Sequence, residues 1–322
     1  MNKMSLNNNM TPKMTKRRNN IRKGSSLKYI KANYQLYLML IPSLIMLIVF
    51  KYVPMYGLII AFKNYNVLKG IGGSQWVGLE HFERFIHLAS FKELFMNTFS
   101  LSINGLIWGF GFPILIALLI NQVRYAGLKN KIQLILYAPN FISTVVVVGM
   151  VFIFFNPNGP VNSILLKIGL QPIMFMTEPN WFQPLYISSG IWQGAGWGSV
   201  IYLAALASID PQLHEAAKID GANILQRIWF IELPELLPTA AILLILSVGG
   251  IMAVGHEKAF LMQTALNIPS SEIISTYVYK MGLQQGDYSF STAVGLFNSL
   301  INLFLLLFVN YVVKKLNKNT GI

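Results

Sequence analysis

Six apolar segments divide the chain, near residues 36–62, 96–121, 132–155, 182–207, 239–262 and 291–313, and each is long enough to cross a hydrocarbon core. Between the fourth and fifth lies a polar interruption, Asp210 to Pro238, whose pattern predicts two short helices joined by a hinge. Asp210 can cap free backbone N–H groups, and Pro211 suits a first helical position. Gly221, preceded by Asp220, should end the first helix in the left-handed region, and the second should start at Ala222. Pro234 and Pro238 are expected to stop that second helix before the next apolar run. The pattern therefore predicts an all-α membrane protein with six transmembrane helices.

An even number of spans returns the C-terminus to the starting side. With the tail, 122–131, 208–238 and 314–322 on one side, that side carries 17 Lys and Arg residues against six on the other. The positive-inside rule then makes both termini and the Glu215 loop cytoplasmic. Residues 1–33 read as a disordered basic tail, 34–316 as the six-span domain with its loop at 208–238, and 317–322 as a second cytoplasmic tail. On the outer side, Phe82, Phe85, Ile86 and Phe91 are expected to form the apolar stripe of an interfacial helix. Asn156 to Pro160 is a turn signal, and 263–290 forms a further outer connection.

Composition supports the membrane reading: 54% of residues are hydrophobic and 11% charged, where a soluble domain carries about a quarter charged. The net charge of +13 raises the possibility of nucleic acid, but nine of the 25 basic residues precede the first apolar run. A juxtamembrane segment facing anionic membrane lipid accounts for them, so no nucleic-acid partner is expected. No small-residue cleavage site follows the first apolar stretch, which points to an uncleaved span. The chain has no cysteine, which excludes disulfides and thiolate chemistry. It also lacks a G-x-x-x-x-G-K-[ST] phosphate loop, an H-E-x-x-H metal motif and a G-x-S-x-G nucleophile elbow. Neither ATP hydrolysis, a metal site nor any catalytic residue is therefore expected in this chain.

The order Glu215-Ala216-Ala217, three residues, Gly221, nine residues, Ile231-Glu232-Leu233-Pro234 resembles the EAA motif of permease subunits of bacterial ABC importers. Phe50 to Gly57, Trp76 to Phe82, Gly190 to Gln193, and Thr276 to Tyr279 followed by Ala293 to Phe297 resemble the LplB-like branch of carbohydrate-importer permeases, related to the maltose permease. The likeness covers roughly residues 30–316; it departs at His81, where Asn is expected, and at His256, where Phe is expected. It implies a type I ABC importer permease fold with a cytoplasmic coupling-helix loop seated in a separate ATPase. It further implies a second, similar permease, two ATPase subunits that use ATP and Mg, and an extracellular solute-binding protein. The absence of an internal repeat agrees with a partner permease.

The coupling residues are then Glu215, Ala216, Ala217, Asp220, Gly221, Ile231 and Pro234. An exposed Glu215 carboxylate can pair with an arginine of the ATPase, and the two small alanines permit close approach. For substrate, Trp192, Gln193, Gly194 and Trp197 place aromatic and amide groups among glycines, which suits the apolar faces and hydroxyl edges of a sugar. Helix packing explains the same residues without a ligand. His256 and Glu257 at the end of the fifth span, and Ser247 within it, are further binding candidates. A contact between Glu257 and Lys258, with Lys258 reaching toward water, is the structural alternative.

The resulting expectation is a multi-pass subunit of an oligosaccharide importer in a bacterial plasma membrane. The alternatives are an ABC permease for a non-sugar solute, an ion-coupled secondary transporter, for which Glu257 is the lone intramembrane acid, and a membrane-embedded enzyme.

Overall fold

The structure, a computed structural model, describes residues 33–252 and 255–316. The tails expected at 1–33 and 317–322 lie outside those residues, apart from Asn33. The chain divides into two bodies, 1–57 and 58–322.

In the first body, α1 (Tyr34–Leu47) passes through a π turn, Ile48–Tyr52, into a further helical turn at Val53–Met55. None of its described residues is buried. Water would penalise that apolar surface heavily; lipid does not.

The second body begins with a two-residue ribbon, β1 (Lys63–Asn64) against antiparallel β2 (Gln75–Trp76), with Lys63 opposite Trp76. It continues through α2 (Glu80–Ile86), α3 (Phe91–Asn121), α4 (Ala126–Tyr137), α5 (Thr144–Phe154), α6 (Pro160–Lys167) and α7 (Pro179–Ala207). After α7 come α8 (Pro211–Ile219), α9 (Ile224–Arg227), α10 (Leu233–Val248), α11 (His256–Met262), α12 (Ile274–Tyr279) and α13 (Tyr288–Leu316). Among the described residues four helical runs are long and apolar enough to cross a membrane: Tyr34–Phe62, Phe91–Asn121, Ile224–Val248 and Tyr288–Lys315. The pair Ala126–Phe141 and Thr144–Phe154, bent by 99°, has the length and composition of a fifth, as a broken span or a re-entrant loop. The remaining expected span is α7, which is 29 residues long and uncharged but diluted by glycine, serine and glutamine.

Three packed clusters hold the second body together. Leu101, Val151, Phe182, Leu185 and Met262 unite α3, α5, α7 and α11. Leu118, Tyr202, Leu206, Ile209, Leu236 and Ala240 unite α3, α7 and α10. Phe85, Leu94, Met252, Ile274, Phe290 and Val294 form the third. Its aromatic centre corrects the interfacial-helix expectation. Phe85 is 1% exposed and meets the rings of Phe91, Phe290 and Phe297 at 5.1, 6.3 and 5.4 Å, while Ile86 faces outward. Phe85 is protein core, and Phe82 and Phe91 are half-buried. The Arg84 guanidinium closes the cluster, 4.2 Å above the Phe290 ring and paired with Asp287 at 2.8 Å. Burial raises the pKa of the Tyr277 phenol in this cluster, against an opposing pull from Arg84.

Two expected boundaries differ. Pro234 and Pro238 do not stop the second short helix, which runs on from Ile224 to Val248. At Pro234 a π turn, Ile228–Glu232, lets it do so: Leu233 N–H bonds back five residues to Ile228 O, and the residue that follows is Pro234, whereas Pro238 lies inside α10. The wider turn draws the preceding carbonyls away from the proline ring, relieving the clash that normally breaks a helix. The same device precedes Pro54, where Val53 N–H bonds to Ile48 O. The fifth apolar segment, expected to be continuous over 239–262, instead breaks after Val248. Gly249 and Gly250 weaken the helix there, and α13 receives the freed backbone: Asn302 Oδ1 accepts from Met252 N–H at 2.8 Å and Asn298 Nδ2 donates to Met252 O at 3.2 Å.

Candidate functional site

The polar interruption folds as an elbow. Asp210 accepts from Gln212 N–H at 2.9 Å, Pro211 opens α8, and the helix of nine residues ends at Ile219. Gly221 takes φ +80°, a conformation that L side chains rarely adopt. Two bonds close the turn: Ala222 N–H to Ala217 O at 2.8 Å and Gly221 N–H to Lys218 O at 3.1 Å. The second helix starts two residues later than expected, because Asn223 rather than Ala222 is followed by a complete capping box with Gln226. No residue of α8 is buried. Glu215, Ala216 and Asp220 are exposed, and Ala217 is half-buried. Large apolar groups are also uncovered here, with Ile219 86%, Leu225 75% and Phe230 73% exposed.

Beneath the elbow the packing is tight. Ile209 at one end of the loop and Ile228, Ile231 and Leu233 at the other all join the cluster that holds the end of α3. Pro234 is exposed. Glu232 is 2% exposed and both its carboxylate oxygens accept from Gln122 Nε2 at 2.9 Å. The buried Nε of Arg227 has no hydrogen-bond partner among the described residues.

The residues expected to touch substrate do not converge. Trp192, 46% exposed, lines a cavity of about 340 Å³ with Ser188, Ser189, Met150 and Phe154. Gln193 gives an amide N–H to Ile142 O at 2.8 Å, serving the bend between α4 and α5. An added Cβ at Gly194 would meet nothing within 4 Å. Trp197 lies edge-on to Tyr137 and Phe141, with centroids 6.2 and 5.7 Å away, and supports the same bend. Ser247 donates to Leu243 O at 2.8 Å and borders a different cavity of about 370 Å³, beside Gly109, Gly198 and Tyr202. His256 sits against Phe260 and Tyr279, and its buried Nε2 has no partner among the described residues. Glu257 is exposed. Lys258 does not reach toward water: it is 8% exposed, donates to Tyr186 O at 2.8 Å and lies 4.7 Å from the centre of the Tyr186 ring.

A further cavity, of about 460 Å³, was not anticipated. Asn104, Trp108, Gln183, Ser188 and Ile191 line it between α3 and α7. Ser188 borders both this cavity and that of Trp192, so one ridge of α7 presents tryptophan, serine and amide groups to two grooves. Aromatic faces beside amides and hydroxyls suit saccharide chemistry. Trp108 lies in an apolar run of α3 with no periodic mark to separate it from lipid-facing neighbours, and its companions come from a helix some eighty residues further on.

Comparison with known proteins agrees with this geometry. A family described as binding-protein-dependent transport system inner membrane component matches residues 109–318. The chain is 44% identical over 295 residues to the polygalacturonan/rhamnogalacturonan transport system permease protein YteP of Bacillus subtilis (strain 168), covering 91% of this chain and 92% of that one. It is 41% identical over 290 residues to protein LplB of the same organism, covering 90% and 91%. A solved chain of a bacterial alginate ABC transporter, crystallised in complex with its alginate pentasaccharide-bound periplasmic protein, superimposes with a TM-score of 0.84 at 42% identity, over 92% of this chain and 99% of that chain. Helical membrane architecture, an uncovered elbow and matches over nine-tenths of the chain agree: this protein belongs to the family of binding-protein-dependent transport system inner membrane components, the permease subunits of ABC importers.

Proposed function

We propose that this chain is the permease subunit of an ATP-driven importer that carries oligosaccharides, handed over by an extracellular solute-binding protein, across a bacterial plasma membrane. One relative, at 44% identity, is named for polygalacturonan and rhamnogalacturonan, and a solved structure at 42% is of a transporter involved in import of the acidic polysaccharide alginate. Uronate-containing chains are accordingly the class to test first.

The elbow carries this reading. A short exposed helix is fixed by a glycine turn, in a loop whose Ile219, Leu225 and Phe230 are uncovered among the described residues and whose two ends sit in one packed cluster. An object of that form receives a push from outside and passes it on. Glu215 and the small Ala216 and Ala217 make the docking contact, Asp220 and Gly221 set its angle, and Ile231 and Pro234 lead the motion into α10. ATP and Mg act in two ATPase subunits, and a second, similar permease completes the path. Both termini lie with the elbow on the cytoplasmic side, as the 17 to six distribution of basic residues supports. Closure of the ATPase pair rocks the spans outward to receive sugar, and hydrolysis resets the inward-facing state.

The test is reconstitution of the complete importer in proteoliposomes with its binding protein and a labelled oligogalacturonate or oligoalginate. Uptake should require ATP and fall to background with Glu215→Lys. Uptake that survived ATP depletion and collapsed with a protonophore would overturn the reading in favour of an ion-coupled carrier.

A further inference from the structure

We infer that Glu232, held by Gln122, is a positioning residue for energy coupling: the bond between them locks the cytoplasmic end of α3 to the helix leaving the elbow, so that both move as one block. The inference rests on the reading of the elbow as the coupling element.

Gln122 caps α3, and Glu232 closes the π turn that leads into α10; the two are 110 residues apart in the chain. One amide nitrogen reaches both carboxylate oxygens at 2.9 Å. Among the described residues no cation forms an ion pair with this carboxylate. Burying a carboxylate beside a single neutral donor is costly, and a leucine in its place would join the surrounding cluster of Leu118, Ile231 and Leu236 without that cost. Apolar contacts, however, let packed helices slide along one another, which is how shear motions proceed. A charge-assisted hydrogen bond fixes distance and direction. It sits where a push on the elbow would otherwise slip past α3, whose far half lines the cavity with Asn104 and Trp108. Of the charged residues between the glycine hinge and Pro238, Arg227 is half-buried, Glu235 exposed and Glu232 buried.

The experiment measures sugar imported per ATP hydrolysed by the complete importer in proteoliposomes, in complexes assembled at equal yield. Gln122→Glu sets two carboxylates against each other and should lower the ratio about tenfold, the scale of a coupling carried by one charge-assisted bond. The exchange Gln122→Glu with Glu232→Gln restores an amide–carboxylate pair in reverse order and should recover most of the ratio. Glu215→Lys runs beside them. If it leaves uptake intact, the elbow reading falls; if it abolishes uptake while Gln122→Glu keeps the wild-type ratio, only the lock falls. Failure of the exchange to recover the ratio also overturns the lock. Should Gln122→Glu not assemble, Glu232→Gln, which keeps the volume, decides the matter: an unchanged ratio refutes the inference.

Discussion

Replacing Gly221 should uncouple the importer without unfolding it. The residue sits at φ +80°, and a Cβ there would meet nothing within 4 Å, so the penalty is backbone strain with no clash added. For an L side chain in the left-handed region that strain is about 1–2 kcal/mol, with alanine near the lower end and a β-branched residue above it. If the turn relaxes to escape it, the bonds from Ala222 to Ala217 and from Gly221 to Lys218 are lost and α8 changes its angle to α9. A shift of ~2 kcal/mol is about thirtyfold in population, enough to leave most elbows misaligned in Gly221→Val. Since α8 buries no residue of its own, the packed spans should not notice. Gly221→Val should therefore keep the wild-type unfolding temperature in detergent while ATP-dependent uptake falls by an order of magnitude or more. Gly221→Asn should lose much less, because asparagine tolerates this conformation. Full uptake by the valine variant would refute the argument, as would an unfolding temperature that dropped in parallel with uptake.

The two tryptophans of α7 should separate. Trp192→Ala, at the wall of a cavity, should raise the sugar concentration needed for half-maximal uptake with little change in stability, whereas Trp197→Ala should mainly lower the unfolding temperature, since it removes the support of Tyr137 and Phe141. Gly196→Ala should reduce the yield of folded protein, because its Cβ would fall 2.0 Å from Leu136 O and force α7 away from α4 at a cost of about 1–3 kcal/mol or more. Asn302→Leu should destabilise by about 1–3 kcal/mol, read by thermal unfolding, because it strands the Met252 N–H inside the break of the fifth span.

What the sequence disclosed was what local chemistry decides. Asp210, Pro211 and Gly221 act on their immediate neighbours, and each stands in the place that capping and turn rules assign. Apart from the fifth, the apolar runs likewise coincide with long helices or, at 132–155, with a bent pair. The misses have distant causes. The break at Gly249–Gly250 is tolerable because Asn298 and Asn302, 46 and 50 residues from Met252, hold its backbone. Gln193 has the composition of a sugar ligand, and only its meeting with Ile142, 51 residues away, shows that it serves a bend. Lys258 looks from its neighbours like a group bound for water, yet Tyr186 of α7 supplies it with a carbonyl and a ring. Pro234 carries the usual stop signal, and a π turn overrides it.

That π turn has a geometric consequence. Each residue of an α-helix rotates the chain by about 100°, so the surplus residue at Ile228–Glu232 sets the compass bearing of everything on its N-terminal side relative to α10. Deleting one residue there would leave composition, length and apolar content almost untouched while swinging the elbow a little over a quarter of the way around the axis. The direction in which this protein offers its handle is thus written in a single unit of helical phase.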